Sequence, residues 1–370
     1  MKKIAIDVRF SVYEWDETSY VNGGVGGSEI WAIKTSDELA KRGYSVYLFG
    51  NPKETHTSNS GVRYLKEADY YYISENFDFD CFIFSRVIPY NLEKIKCQNI
   101  FIMVHDMDIF NVPIEYNPAL DKIKKIFYLS EFHRQNLAIK YPFFADRLAY
   151  TRNGVDGFLY EKYNNLPKKN KMLCSSGPYR QGIWIINYVF PLIRKEVPDF
   201  EINLCHYYDN FDDEIFHQDG INIIGSPSNQ ITRENLIKEQ CESKIWIYSN
   251  NYIWNWNLDN EGYFNETFCI TALESACAKN AIIVGERSPF TETLNGYNYM
   301  VGKDLYNESL LDAMPRENLK KFADVLANEA IKCLKDEEYR LSLVNQAYPI
   351  GMKSDWINAT DYIENEIKKV

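Results

Sequence analysis

Gly26-Gly-Ser-Glu-Ile-Trp-Ala-Ile-Lys-Thr-Ser-Asp-Glu-Leu-Ala-Lys-Arg-Gly-Tyr-Ser-Val-Tyr-Leu-Phe49 reads as a helix feeding a strand. Ser28 to Lys41 is expected to be helical and to stop at Gly43, the residue type best suited to a left-handed position after a helix. Ser45 to Phe49 then has the β-branched and aromatic character of a strand. With the apolar run Lys3 to Val8 in front, the order is strand, helix, strand, the unit from which parallel sheets are built. Working outward, Cys81 to Ser85, Ile100 to Val104 and Lys125 to Leu129 continue the first set of strands. A second set restarts at Lys171 to Cys174 and runs through Glu201 to Cys205, Ile221 to Ile224, Ile245 to Tyr248 and Ala281 to Val284, with helices such as Ile183 to Glu196 between. Asn164-Asn-Leu-Pro-Lys-Lys-Asn-Lys171 has no apolar face and is the expected linker. A last helix, roughly Ser354 to Ile367, follows Pro349 and Gly351. The expected units are therefore 1–163, 164–349 and a C-terminal helix within 350–370 that crosses back to the first.

The chain has 370 residues, long enough for two globular units rather than one. Its 45% hydrophobic and 25% charged residues are ordinary globular usage and argue against disorder. A net charge of −11 repels phosphate backbones and anionic lipid, so nucleic acid is not an expected partner and membrane contact is at most peripheral. Eight cysteines lie in apolar segments without a Cys-x-x-Cys pair, as reduced core residues do. The N-terminal apolar run is broken by Asp7 and Arg9, too early for a secretory segment, and no stretch has the length of a membrane span. A soluble, cytoplasmic protein is expected.

Two stretches carry chemistry. Gly23-Gly-Val-Gly-Gly-Ser-Glu29 lets the backbone approach a ligand, and Ser28 is placed to cap a helix whose N-terminus attracts anions. Read from Gly24, the dinucleotide fingerprint fails because Glu29 takes its third glycine position, so NAD is disfavoured. Asn265-Glu-Thr-Phe-Cys-Ile-Thr-Ala-Leu-Glu274 puts one carboxylate before a helix and another about two turns inside it. Carboxylates accept from vicinal hydroxyls, so such a pair suits a sugar-containing ligand. A glutamate in a first helical turn also serves simply to offset the helix dipole.

The Glu-x-Phe segment with its second glutamate eight positions on resembles the signature of the retaining family 4 glycosyltransferases, which have the GT-B fold. Five other pieces agree in order: Gly26-Gly-Ser-Glu29, Val104-His105-Asp106, Ser130-Glu131-Phe132, Asn153-Gly-Val-Asp156 and Asn295-Gly-Tyr-Asn-Tyr-Met-Val301. The resemblance implies two Rossmann-like βαβ domains facing a central cleft, the first on the acceptor side and the second on the donor side. It implies that Glu274 binds the nucleotide ribose and that Glu266 contacts the transferred sugar. His105 would act on the donor sugar, and Gly26, Gly27, Thr267, Phe268, Cys269 and Ser226 would line the donor. The donor is a nucleotide-diphosphate sugar, UDP- or GDP-linked, and the acceptor a glycan or other hydroxyl compound. No metal and no further cofactor is implied.

The resemblance is incomplete in two places. Most members neutralise the leaving diphosphate with an arginine and a lysine, whereas Ser175-Ser-Gly-Pro-Tyr-Arg-Gln-Gly182 offers Arg180 alone, similar to a subgroup with a single arginine at this loop. Lys171 and Lys244 are the available helpers, though each reads more simply as a solvated strand flank. Residues 250–264 lengthen the approach to Glu266, and Trp254 and Trp256 within them either offer the flat faces that suit an acceptor sugar or belong to a loop that folds its tryptophans onto the protein. Surface polysaccharide or glycan assembly is the commonest role among relatives. A non-catalytic carbohydrate-binding protein, or an epimerase or phosphorylase on the same architecture, is the competing expectation, since a fold does not fix a chemistry.

Overall fold

The computed structural model describes residues 1–9, 14–23, 25–113, 115, 117–175, 182–205, 214–226, 228–249, 251–253, 263–312 and 314–370. The chain forms two compact units, Met1–Gly154 with Trp356–Val370, and Val155–Asp355.

The first unit is built on eight strands: β1 (Lys3–Asp7), β2 (Ser45–Phe49), β3 (His56–Thr57), β4 (Arg63–Leu65), β5 (Cys81–Ser85), β6 (Ile100–Met103), β7 (Ile123–Tyr128) and β8 (Leu148–Tyr150). Their order is β3-β4-β2-β1-β5-β6-β7-β8, parallel except for β3. Every residue of β5 and β6 is buried, which is why these segments read as unbroken apolar runs rather than alternating ones. Phe82 and Phe84 share one face of β5 and stack at 4.3 Å, with Phe49 and Tyr70 packed around them. The chain lays β2 on one side of β1 and later β5 on the other. Strand order therefore reverses between β1 and β5, and in open α/β sheets the carboxyl ends at such a reversal are where ligands bind.

The helix Gly27–Lys41 buries Trp31, Ala32, Ile33 and Leu39. Gly43, at φ 90°, ends it: its N–H reaches the Ala40 carbonyl at 3.0 Å and that of Tyr44 reaches Leu39 at 3.1 Å. The C-terminal helix Trp356–Ile367 belongs to this unit. Arg42 clamps it through Asp361 and Glu364, both at 2.7 Å, and through the Ile357 carbonyl at 2.8 Å.

The second unit contains β9 (Lys171–Cys174), β10 (Glu201–Cys205), β11 (Ile221–Gly225), β12 (Ile245–Tyr248), β13 (Asn251–Ile253), β14 (Tyr263–Asn265) and β15 (Ala281–Val284). Parallel β11-β10-β9 and parallel β12-β15 are joined by a bridge between Lys169 and Ser243. β13 and β14 form an antiparallel hairpin.

Three local expectations are corrected. The polar stretch 164–171 is not a linker: the unit begins at Val155, and Lys168 Nζ donates to the Ser243 and Ala278 carbonyls and to Asn280 Oδ1, at 2.9, 2.7 and 2.9 Å. These are carbonyls just past two helix ends, where a cation is favoured, and burial there pushes the ammonium down to about 7. The last helix follows Pro349 and Gly351 as expected, but the boundary expected after 349 falls inside the helix Glu337–Lys353, and the second unit runs on to Asp355. A Cβ at Gly351 would sit 2.9 Å from the Cys277 nitrogen and 3.0 Å from Ala276 Cβ, so glycine is there to let this helix approach Ile270–Cys277. Finally, 183–196 is not one α-helix. A π-turn, Ile185–Val189, precedes α-helix Phe190–Glu196 at Pro191, which has no N–H for the regular ladder.

The helix Ile270–Cys277 closes with Lys279 at φ 58°, its N–H on Ala276 at 3.0 Å and that of Asn280 on Ser275 at 3.0 Å. A lysine in this left-handed position is strained. Lys279→Gly is expected to raise unfolding stability by about 0.5–1 kcal/mol, net of the lost contact with the Tyr348 ring. Urea titration of both proteins checks this, and an unchanged or lower midpoint would refute it. Among the described residues no helix is long and apolar enough to cross a membrane.

Candidate functional site

In the first unit, Gly26 is the N-cap of the helix Gly27–Lys41 and makes no side-chain cap. Ser28, expected to be the cap, is the second residue of the helix and donates its hydroxyl to Glu29 Oε2 at 2.9 Å. A Cβ on Gly26 would come within 2.9 Å of the same oxygen, so the bare backbone leaves Glu29 room to fold over the first turn. His105 follows β6 at its carboxyl end. Its ring meets that of Trp31 edge-on, centroids 5.1 Å apart, so Gly26, Gly27 and His105 share one end of the sheet. Burial holds the His105 imidazole well below its ordinary range, helped by the charge of Arg86.

The neighbouring strand ends are also charged. Asp7, buried at the end of β1, takes Arg9 through both oxygens at 2.8 and 3.0 Å, and that guanidinium lies 3.3 Å over the Tyr70 ring. Arg86, just past β5 at φ 71°, pairs with Asp106 at 2.8 Å. The chain contains the spelling Asp-x-Asp twice. At 78 and 80 the carboxylates engage Lys96 and the Lys3 N–H, and at 106 and 108 they engage Arg86 and Lys140.

In the second unit, Glu266 stands between the β13–β14 hairpin and the helix Ile270–Cys277. Its Oε1 accepts the N–H groups of Thr267 and Phe268 at 3.0 and 3.3 Å, and its Oε2 accepts the Tyr248 hydroxyl at 2.9 Å. Tyr248 ends β12, so the carboxylate is tied to the carboxyl edge of that strand. Thr267, Phe268 and Cys269 are buried, and Thr293 Oγ1 donates to the Phe268 carbonyl at 2.5 Å. Cys269 is the helix N-cap at φ 71°, a costly conformation for a side-chain-bearing residue, and such strain concentrates where a backbone must aim at something. Burial pushes its thiol well up, so it is no thiolate nucleophile.

Glu274 lies in the helix and is buried. Arg233 Nη2 pairs with its Oε1 at 2.7 Å and Gln240 Nε2 donates to its Oε2 at 3.3 Å. Ser226, after β11, exchanges backbone hydrogen bonds with Asn229, each 3.1 Å. Arg180, Trp254 and Trp256 lie outside the described residues, as do Gly24 and Pro227.

The two helper lysines are corrected. Lys171 is buried and bridges Glu239 and Glu242 at 2.6 and 2.9 Å, and Lys244 donates to Asn170 at 2.8 Å. Each is at the amino end of its strand, whereas Ser226 and Tyr248 mark the carboxyl ends. Arg233, Gln240 and Tyr248 were not among the sequence candidates. Arg233 follows Thr232, which caps its helix, and reads as a surface charge in a first turn, so nothing local ties it to Glu274.

No protein-family model matches the chain, and no curated protein does. Solved structures do. A sucrose-phosphate synthase from Thermosynechococcus elongatus superposes with TM-score 0.69 at 14% identity, over 100% of this chain and 99% of that one. The chain has the GT-B fold. A glycosyltransferase from Rickettsia africae gives TM-score 0.65 at 15% identity, over 100% and 98% of the two chains. Anabaena HepE in complex with UDP-glucose gives 0.63 at 11%, over 100% of both. In open α/β sheets generally, ligands bind outside the carboxyl ends of the strands, the ends at which these residues lie.

Proposed function

We propose that the protein is a retaining, metal-independent glycosyltransferase that moves a sugar from a nucleotide-diphosphate sugar to a hydroxyl acceptor, within family 4 of the GT-B enzymes. One observation carries this reading: Glu266, two backbone N–H groups and a left-handed N-cap converge at the start of a helix that also holds Glu274. A helix N-terminus favours a diphosphate, and the two carboxylates favour hydroxyls on either side of it. The assignment gives Glu274 the ribose, Glu266 the transferred sugar, and Thr267, Phe268, Cys269 and Ser226 the rest of the nucleotide. Gly26, Gly27 and His105 act on the donor sugar, with His105 a neutral imidazole able to donate or accept one hydrogen bond. Arg180 neutralises the leaving diphosphate through its fork of donors. Trp254 and Trp256 hold the acceptor. Catalysis then comes from positioning and from stabilising the leaving group's charge rather than from a carboxylate nucleophile. All eight cysteines are free thiols, which fits a reducing, cytoplasmic setting.

Anabaena HepE is seen with UDP, with UDP-glucose and with UDP and glucose, so UDP-hexoses are the first donors to try. A panel of UDP- and GDP-sugars is incubated with saccharide acceptors in chelator. The expected result is nucleotide release with a new glycosidic bond of the donor's anomeric configuration. A product of opposite configuration rules out retention, and loss of turnover with chelator rules out metal independence. If no donor binds or turns over, the transferase reading fails. A bound donor at a hundred times its dissociation constant stabilises by about 2.7 kcal/mol, which thermal shift detects.

A further inference from the structure

Glu274 is held by a polar chain that the transferase reading does not use. Arg233 opens the helix Arg233–Glu242 and Gln240 lies seven residues on, on the same face. From that face Arg233 fixes Oε1 at 2.7 Å and Gln240 fixes Oε2 at 3.3 Å. Behind them the buried Tyr160 donates its hydroxyl to Gln240 Oε1 at 2.8 Å and accepts from Arg233 Nη2 at 3.5 Å. Three side chains thus set the plane of one buried carboxylate.

A carboxylate has about four lone-pair sites. Arg233 and Gln240 occupy one on each oxygen, and the pattern that is left is one acceptor per oxygen, the spacing that a vicinal diol matches with two donated hydrogen bonds. Burying a lone carboxylate is costly, and the guanidinium offsets that cost without occupying both oxygens. We infer that Arg233, backed by Gln240 and Tyr160, is a positioning residue that presents Glu274 as a two-pronged acceptor for the 2′- and 3′-hydroxyls of a ribonucleotide. This rests on the assignment of Glu274 to the ribose.

The test is a ratio of affinities, because a merely structural role would weaken every nucleotide alike. Calorimetry compares UDP with 2′,3′-dideoxy-UDP and GDP with 2′,3′-dideoxy-GDP, on wild type, Arg233→Met and Tyr160→Phe. Wild type is expected to prefer one ribonucleotide over its dideoxy analogue by roughly tenfold or more, the worth of hydrogen bonds to a charged acceptor. Arg233→Met should cut that preference to about threefold or less, and Tyr160→Phe, which keeps the ion pair, should reduce it part-way. Should Arg233→Met not fold, Tyr160→Phe decides: an undiminished preference overturns the inference. Equal loss for both members of a pair in Arg233→Met also overturns it and leaves the nucleotide site standing. If wild type binds none of the four, the nucleotide-sugar reading falls and the inference with it.

Discussion

Glu266→Gln is expected to lower turnover on the order of a hundredfold while the fold and nucleotide affinity stay within about threefold of wild type. Glutamine keeps the shape of the side chain and one carbonyl oxygen. That oxygen can still accept the Thr267 and Phe268 N–H groups, and the new amide can donate to the Tyr248 hydroxyl, which accepts as readily as it donates. Every buried partner therefore stays satisfied, so the substitution isolates the charge. What is lost is a negative acceptor for the hydroxyls of the transferred sugar, an interaction worth most when that sugar carries positive charge on its way between oxygens. A contact of that kind lowers kcat and kcat/KM together and leaves ground-state binding nearly unchanged. Steady-state rates with the best donor, set beside calorimetric binding of its nucleoside diphosphate, check both halves. Turnover within threefold of wild type would remove Glu266 from the chemistry and recast it as a helix-start residue bound to its own backbone.

The parallel architecture was legible because it is written in local pattern. β2, β5, β9, β10, β12 and β15 have the limits expected from their apolar runs, since a buried strand needs a continuous run and turn residues bound it. In the first unit the strands that escaped, β3, β4 and β8, are two or three residues long and lie toward the edges of the sheet, where no run is needed, and in the second the hairpin strands β13 and β14 are three residues each. Glu266, Glu274 and His105 could be picked out as chemistry-bearing residues. Their partners could not. Arg233 meets Glu274 across 41 positions (274 − 233), and Tyr160 meets Gln240 across 80, so these contacts depend on how helices pack and not on any spacing along the chain. The same reason misled the reading of 164–171 and of Pro349 and Gly351. Lysine and glycine there serve contacts with Ser243, Ala278, Ala276 and Cys277, distant in sequence, while their local signal is that of a linker and a stop.

Acidification from about pH 7 to about pH 4 is expected to cost the first unit roughly 3 kcal/mol through one histidine. His133 sits in the helix Glu131–Lys140 and is fully buried. Its Nδ1 accepts the Leu129 N–H at 3.2 Å, so the native ring is neutral and carries its proton on Nε2. Burial drives its pKa down to about 4 from an ordinary 6.5. A base with a depressed native pKa binds fewer protons folded than unfolded between those two values. Stability is therefore complete above about pH 6.5 and is lost progressively as pH falls toward 4, and His105, depressed by the same burial, adds in the same direction. His56 opposes them. Its pKa is raised, chiefly by a hydrogen bond to the Glu54 carbonyl and then by Glu17, so its contribution is present at low pH and lost as pH rises through its native value. It is also a third exposed, where pairing is worth little. His133→Gln keeps an acceptor for the Leu129 N–H and removes the titration. Unfolding free energies of wild type and variant, each at both pH values, should show the wild type losing roughly 3 kcal/mol more than the variant. Parallel losses in the two proteins would mean that the buried imidazole is not what makes this unit acid-sensitive, and that a carboxylate held below its ordinary range, such as Glu131 beside Arg134, carries the effect instead.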